Sequence, residues 1–182
     1  LQTIRGVPLG VIRDFPSLPL RGFQVNLQSL RQQNLEGAIR LLEAMARWKL
    51  NTVLFEYGER YPYRVHRAIR SADALTESEL QVLLDHARSL GLEIMPLHQC
   101  LGHVDFILRQ PAYAHLSEET EKRDQWCPRN PDSFKLLREL IDDLAETHEG
   151  ARYFHLGGDE TRRLGECPKC RPIAEAHGKG RL

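Results

Sequence analysis

The chain has 182 residues, and its 25 Lys and Arg balance its 25 Asp and Glu, so the formal net charge is zero. Hydrophobic residues make up 41% and charged residues 27%, the balance of an ordinary globular domain. A neutral chain gives no electrostatic footprint for nucleic acid or an anionic membrane, and no run of about 18 apolar residues could span a bilayer. We therefore expect a soluble protein without nucleic-acid or membrane partners.

The two ends of the chain lead us to expect a fragment. It begins with Leu1 rather than Met, and residues 178–182 supply no closing element. Residues 1–20 contain three prolines and are interpreted as a lead-in from a preceding domain or linker. We expect a fragment in which residues 21–182 form one partial domain, and we assign it neither a compartment nor an oligomeric state.

Strands and helices are predicted to alternate. Short apolar segments typical of strands lie at residues 22–27, 52–55, 92–97 and 151–156. Longer segments with helical periodicity separate them. This order predicts a parallel sheet with right-handed crossovers, either an open doubly wound sheet or a (β/α)₈ barrel. In both architectures the functional residues lie beyond the carboxyl ends of the strands.

Capping residues mark the starts of the three helices. Asn34 can cap the first, and Thr76 with Glu79 forms a capping box for the second, which Gly91 ends. Asn130 precedes a proline at the first position of the third helix. The apolar stripe predicted for this third helix contains Phe134, Leu137, Leu140, Ile141 and Leu144.

The end of the fourth predicted strand carries two adjacent carboxylates. Gly157 and Gly158 precede Asp159 and Glu160, and glycines permit both a sharp turn and a close approach. Crowded carboxylates push their pKa values apart, so one can donate a proton while the other stays ionised. A surface Asp-Glu pair in a turn is the alternative interpretation.

Polar residues also follow the second and third predicted strands. His98, Gln99 and His103 could orient a carboxylate or bind a metal, although a histidine at such a place is more often a structural hydrogen-bonding group. After the second strand come Glu56, Glu59 and three tyrosines at 57, 61 and 63. These tyrosines could stack on a sugar or pack within their own loop.

The cysteines allow two interpretations. Four are too few for a disulfide scaffold. Cys167 and Cys170 form a C-x₂-C pair, which needs two further ligands to bind zinc, and His177 or Cys127 could supply one. With no second pair, we expect an ordinary loop and no metal, with Cys127 filling a loop core.

These motifs together resemble glycoside hydrolase family 20, the β-N-acetylhexosaminidases. The strongest is HLGGDE at residues 155–160, which follows Gly102-His103 after the third strand and Arg21-Gly22 at the first. Gln99 and the Tyr-Pro-Tyr of residues 61–63 are closer to the hexosaminidase D-like subgroup than to the lysosomal enzymes. Further matches lie at residues 14–22, 49–51, 76–80, 91–96 and 130–131.

The resemblance implies a fold and an activity. The fold would be the N-terminal half, about four βα units, of a TIM (β/α)₈ barrel. The full enzyme would remove terminal non-reducing N-acetylglucosamine or N-acetylgalactosamine from β-linked glycans, with the acetamido group of the substrate as nucleophile. The resemblance requires no metal or cofactor. It implies that this fragment alone is inactive.

The resemblance also implies residue roles. Glu160 would be the general acid and base, with a pKa raised by burial and by Asp159, which would hold the acetamido group. Arg21 and Glu56 would contact the sugar, and His103 would stand behind Glu160.

Supporting roles fall to Glu59, Gln99 and His155, the last packed in the barrel interior. The family usually has an acid just before a Pro-Gly-His after the third strand, where this chain has Gln99 and Leu101-Gly102-His103. Asn26 stands where an Asp is common in the family. Which of Glu56 and Glu59 orients His103 stays open.

Two rival functions are compatible with the sequence. A non-catalytic sugar-binding protein would keep the pocket without turnover, but it would have no need of a general acid. A metal-dependent hydrolase on the same fold would use His98, His103 and Asp159 as ligands.

Overall fold

The computed structural model describes residues 10–11, 13–28, 35–119 and 123–182. Asn34, the predicted cap of the first helix, lies outside the described residues. Within them no helix is both long enough and apolar enough to cross a membrane.

A parallel three-stranded sheet forms the centre of the fold. Its strands β1 (Gly22–Asn26), β2 (Thr52–Glu56) and β3 (Glu93–Leu97) stand in the order β1-β2-β3. The register aligns Asn26 with Glu56 and Glu56 with Leu97, so the three carboxyl ends lie side by side. The predicted parallel α/β arrangement is confirmed for these strands.

Helices connect and flank the strands as the periodicity predicted. The first two crossovers contain α1 (Leu35–Arg47) and α2 (Glu77–Ser89), and the loop after β3 contains the single-turn α3 (Asp105–Leu108). The long helix α4 (Pro131–Thr147) and the short helix α5 (Arg171–His177) complete the helices described here. The core lies between the sheet and these helices and includes Leu42, Met45, Phe55, Leu83 and Leu140.

The predicted caps of α2 and α4 are confirmed. Thr76 accepts a hydrogen bond from the backbone of Glu79, whose carboxylate accepts one from the backbone of Thr76. Asn130 caps α4, and Gly91 has the left-handed φ of 75° expected after α2. These local signals work because each satisfies backbone groups that a helix leaves unpaired at its ends.

The prediction of a fourth strand over residues 151–156 is wrong. Residues 151–156 run parallel to β3 but form one isolated bridge, between His155 and Leu97. The His155 N–H donates to the Pro96 carbonyl at 2.9 Å, and the His155 carbonyl accepts from His98 N–H at 3.0 Å. Tyr153 and Leu156 remain half exposed. The backbone leaves the extended conformation at Gly157 and Gly158, whose φ values are 61° and 95°, so the ladder ends here.

Sugar stacking by the tyrosines after β2 is also wrong. Tyr57, Tyr61 and Tyr63 are each 1% exposed. The Tyr57 hydroxyl lies 2.6 Å from Nε2 of His148, and the Tyr61 hydroxyl donates to the Asp143 carbonyl at 2.9 Å. Tyr57 and Tyr61 thus pack the loop beneath the end of α4, and the Tyr63 hydroxyl donates to the Gly58 carbonyl within the loop at 3.1 Å.

Candidate active site

A sharp turn at Gly157 and Gly158 carries the candidate catalytic pair. Both glycines have left-handed φ values, 61° and 95°. A Cβ on Gly157 would lie only 2.0 Å from Oε1 of Gln99, so any larger residue would displace the Gln99 amide. Glycine is required here both for conformation and for space.

Asp159, Glu160 and His103 come together at the end of β3 and the adjacent bridge. His103 Nε2 lies 3.4 Å from Oδ2 of Asp159 and 3.3 Å from Oε2 of Glu160. Gly102 allows this approach, since a Cβ there would lie 2.4 Å from the Asp159 carbonyl oxygen. One imidazole thus bridges the two carboxylates at the predicted edge of the sheet.

The three side chains are open to solvent. Their exposed fractions are 65% for Asp159, 54% for Glu160 and 44% for His103. The burial expected for Glu160 from the sequence is therefore not found in this chain. Arg162 also lies 3.2 Å from Glu160, in an exposed ion pair that contributes little to stability.

Below the turn, a chain of amide and carboxylate groups joins the strand ends. Glu56 accepts from Nε2 of Gln24 at 2.6 Å with one oxygen and from Nε2 of Gln99 at 3.0 Å with the other. The side-chain oxygen of Gln99 accepts a hydrogen bond from the N–H of Gly158 at 3.3 Å. Glu56 and Gln99 are buried, so they support the backbone that carries Asp159.

Gln24 is a member of this chain that sequence reasoning missed. Residues 22, 24 and 26 alternate with apolar residues in β1, and a period of two places them on one face of the strand. That alternation could have identified Gln24 as a neighbour of the β2 carboxylate.

Glu59 lies apart from the candidate pair. It is 2% exposed, and its Oε2 lies 2.7 Å from the Arg109 guanidinium and accepts from Gln28 at 3.3 Å. His103 faces Asp159 and Glu160, whereas Glu56 faces two glutamines and Glu59 faces Arg109. These contacts therefore support neither Glu56 nor Glu59 as the residue that orients His103.

Arg21 is not brought to the candidate pair. It directly precedes β1, and its guanidinium donates to the carbonyls of Lys49 at 2.8 Å and Leu18 at 2.6 Å. These contacts lie at the amino end of the strand, whereas Asp159 follows the carboxyl end of the sheet. The contact of Arg21 with a sugar stays a prediction.

The histidines divide into buried and exposed groups. His98 is 3% exposed beside Tyr63 and Phe106, and burial lowers its pKa to about 4. Among the described residues, His98, His103 and Asp159 do not form a group close enough to share one metal ion, which disfavours the metal site suggested for them. His155 is exposed rather than packed in an interior, and its Nδ1 accepts the N–H of Gly157 at 3.0 Å.

The cysteines gather elsewhere. Cys127, Cys167 and Cys170 are buried unpaired thiols, and they form a group of potential metal ligands with Glu118. Burial raises the pKa of the Cys127 thiol to about 11. His177 is exposed at the end of α5 and stands outside this group. Glu118 was missed from the sequence because it lies far from the C-x₂-C pair along the chain.

The structure thus combines a parallel βα sheet, paired glycines and an Asp-Glu pair with a histidine near both carboxylates. The family model of the glycosyl hydrolase family 20 catalytic domain matches residues 53–181. The chain belongs to this family, as its motifs predicted.

Among individual proteins the chain is similar to hexosaminidase D. It is 39% identical to the protein from Bos taurus over 117 residues, which cover 64% of this chain and 34% of that one. The Homo sapiens protein is 37% identical over 117 residues, covering 64% of this chain and 24% of its own length. The chain thus spans about a third or less of the length of these two curated relatives.

Solved structures agree on the fold. A chitobiase from Flavobacterium johnsoniae superposes with a TM-score of 0.74 at 24% identity, covering 90% of this chain and 27% of that one. An N-acetyl-β-hexosaminidase from Streptomyces plicatus, in complex with Thio-NAglucal, gives a TM-score of 0.67 at 18% identity, covering 90% and 38%. These chains carry the same arrangement of strands and helices within larger molecules.

Proposed function

We propose that this chain contributes the acid–base pair of a retaining exo-β-N-acetylhexosaminidase that releases terminal N-acetylglucosamine or N-acetylgalactosamine. The observation that carries the proposal is the meeting of Asp159, Glu160 and His103 at the carboxyl end of a family 20 sheet. β-Linked N-acetylhexosaminide glycans are the proposed substrates.

Glu160 is the proposed general acid. It donates its proton to the glycosidic oxygen as the bond from that oxygen to C1 breaks, and the acetamido carbonyl oxygen of the substrate bonds to C1. The resulting oxazolinium ion is then opened by water at C1, and the proton of that water passes to the Glu160 carboxylate. Two displacements at one carbon retain its configuration.

Asp159 is proposed to hold the acetamido group. Its carboxylate accepts the acetamido N–H, which turns the carbonyl oxygen toward C1, and its charge stabilises the oxazolinium cation. His103 holds both carboxylates within 3.4 Å of one nitrogen, so it limits the geometry that they adopt.

The complete domain is proposed to be an eight-stranded barrel, of which this chain supplies the first part. Two observations support that closure. Phe23 on β1 is 55% exposed, and Tyr153 and Leu156 beside β3 are 49% exposed, so both edges of the sheet present apolar surface. Further strands would cover these edges and exclude water from Glu160.

Substitution of Glu160 tests the proposed activity. In the complete protein, Glu160→Gln should lower kcat for an aryl N-acetyl-β-glucosaminide by about 10²- to 10⁴-fold, since it removes a positioned proton donor. The matched control is Glu175→Gln, an exposed glutamate on α5. Steady-state hydrolysis measures the effect, and near-normal turnover of Glu160→Gln would refute the assignment.

The same protein separates the rival functions. A wild-type protein that binds the glycoside without hydrolysing it would be a sugar-binding protein. Loss of hydrolysis on exhaustive chelation without any fall in the melting temperature, with recovery on adding a metal, would instead indicate a metal-dependent hydrolase.

A further inference from the structure

A compact cluster of four buried side chains lies apart from the candidate catalytic pair. Glu118, Cys127, Cys167 and Cys170 are exposed by 3%, 3%, 8% and 0%. One carboxylate oxygen and three sulfurs converge so that all four atoms lie within 4.8 Å of one another. We refer to these four residues as the thiol–carboxylate cluster.

The spacing within the cluster fits a tetrahedral zinc ion. Zinc–sulfur bonds of about 2.3 Å and zinc–oxygen bonds of about 2.0 Å place sulfurs about 3.7 Å apart and sulfur and oxygen about 3.5 Å apart. Cys127 Sγ lies 3.5 Å from the sulfurs of both Cys167 and Cys170. Cys170 Sγ lies 3.5 Å from Oε2 of Glu118. The other separations in the cluster are at most 4.8 Å, so side-chain movements of about 1 Å would bring all four atoms to the tetrahedral spacing.

The carboxylate is held in place for this role. Oε1 of Glu118 accepts the N–H groups of Gly165 at 2.9 Å and Cys167 at 3.1 Å, which leaves Oε2 directed at the sulfurs. Hydrogen bonds to the non-coordinating atom of a ligand are the usual support of a metal site. The turn of the C-x₂-C pair, closed by the Cys170 N–H donating to the Cys167 carbonyl, brings together two of the three sulfur ligands.

The charge of the cluster favours a cation. Across the ranges that the structure describes, Glu118 forms no ion pair with a lysine, arginine or histidine. A buried carboxylate without a cationic partner is costly, and a divalent ion compensates both it and the thiolates. Soft sulfur ligands in a closed four-coordinate set select zinc over magnesium or calcium.

We propose that Cys127, Cys167, Cys170 and Glu118 bind one structural Zn²⁺. Binding releases the thiol protons and forms three zinc–sulfur bonds and one zinc–oxygen bond. The ion joins the loop that follows Glu160 to the segment containing the Ser117–Trp126 bridge. Trp126 in turn donates its indole N–H to the Cys100 carbonyl at 2.7 Å, beyond the end of β3. The metal thus holds in place the loop that follows the candidate catalytic pair.

Metal content tests the proposal directly. The purified complete protein should contain about one zinc per chain by elemental analysis. Cobalt exchanged for zinc should give the visible absorption of tetrahedral thiolate coordination. Removing zinc with a chelator should lower the melting temperature reversibly, a readout that does not depend on enzymatic activity.

Matched variants locate the ligands. Glu118→Gln keeps an oxygen for the two N–H groups, and it should weaken zinc binding by at least 10-fold, whereas Glu119→Gln beside it should not. Cys170→Ser should lose zinc, and Cys100→Ser, which lies outside the cluster, should retain it. If Cys170→Ser fails to fold, chelation of the wild-type protein still decides the question.

Three results would overturn the proposal. They are zinc well below one per chain with no thermal response to added zinc, a disulfide among the three cysteines by mass spectrometry, and stoichiometric iron with sulfide. None of these results would contradict the proposed hexosaminidase function, because the cluster takes no part in that chemistry.

Discussion

At the scale of single residues, His103 is the contact that the two carboxylates of the candidate pair share. One imidazole nitrogen faces both carboxylates at nearly equal distances, 3.4 and 3.3 Å, so neither is uniquely its partner. Because all three side chains are substantially exposed, water screens their interactions in this chain. The full electrostatic effect of the group is therefore expected only where the rest of the protein covers it.

Asp159 offers a test of the acetamido contact. Asp159→Asn in the complete protein should lower kcat for an aryl N-acetyl-β-glucosaminide by about 10²- to 10³-fold, because it removes the charge proposed to stabilise the oxazolinium cation. The matched control is Asp142→Asn, an exposed aspartate on α4. Steady-state hydrolysis measures the effect, and a near-normal kcat of Asp159→Asn would contradict the role.

Buried histidines should make stability depend on pH. Burial lowers the pKa of His98 and of His148 to about 4. Between roughly pH 6.5 and 4 the unfolded state binds protons that the folded state does not. The free energy of unfolding should therefore fall on acidification across this window, by at most about 1.4 kcal/mol per pH unit for each histidine.

Denaturant titrations at a series of pH values measure that slope. His98→Phe, placed between Tyr63 and Phe106, should reduce the slope, whereas His177→Phe at the exposed end of α5 should not. An unchanged slope in His98→Phe would show that His98 does not contribute.

The sequence was sufficient to place Asp159, Glu160 and His103 together, because the ends of parallel strands meet at one edge. It did not reveal Glu118 as a neighbour of the cysteines. Between residues 118 and 167 no periodicity connects them, and only the folded chain brings them into contact.

At the scale of elements, the Gly157–Gly158 turn admits a controlled comparison. Gly157→Ala adds a Cβ that would lie 2.0 Å from Gln99, whereas a Cβ on Gly150, with a similar φ of 85°, has nothing within 4 Å. Both variants incur the left-handed backbone penalty of about 1 kcal/mol, but only Gly157→Ala also displaces the Gln99 amide.

Gly157→Ala should therefore be the more destabilised of the two by chemical denaturation, and it alone should lose activity in the complete protein. Equal losses of stability in both variants would mean that backbone conformation, not the close approach to Gln99, requires the glycine.

The elements also show where local patterns are insufficient. The caps of α2 and α4 were predictable because they act within a few residues of the chain. The stripe of α4 was only partly correct: Phe134 is 60% exposed, while Leu136 and Asp143 are buried. Asp143 faces inward because it accepts from the backbone and guanidinium of Arg64, a tertiary contact that helical periodicity does not contain.

At the scale of the whole molecule, the exposed edges of the sheet lead to a prediction about the activity of the isolated chain. The 182-residue chain by itself should show no hydrolysis of an aryl N-acetyl-β-glucosaminide, since the proposed pocket lacks its remaining walls and Glu160 is 54% exposed. Measured turnover by the isolated chain would overturn the proposed division of the pocket. The complete protein, assayed in parallel, is the control.

His103 and Glu160 share one further property: both are non-glycine residues with left-handed φ values, 54° and 53°. Each such conformation costs of the order of 1 kcal/mol and persists only where the surrounding structure imposes it. The candidate site is thus held against the local preference of its own backbone. Stability alone would favour residues that tolerate this conformation better at these two positions, whereas the chemistry proposed above requires a histidine and a glutamate there, so stability and the proposed activity make opposite demands on them.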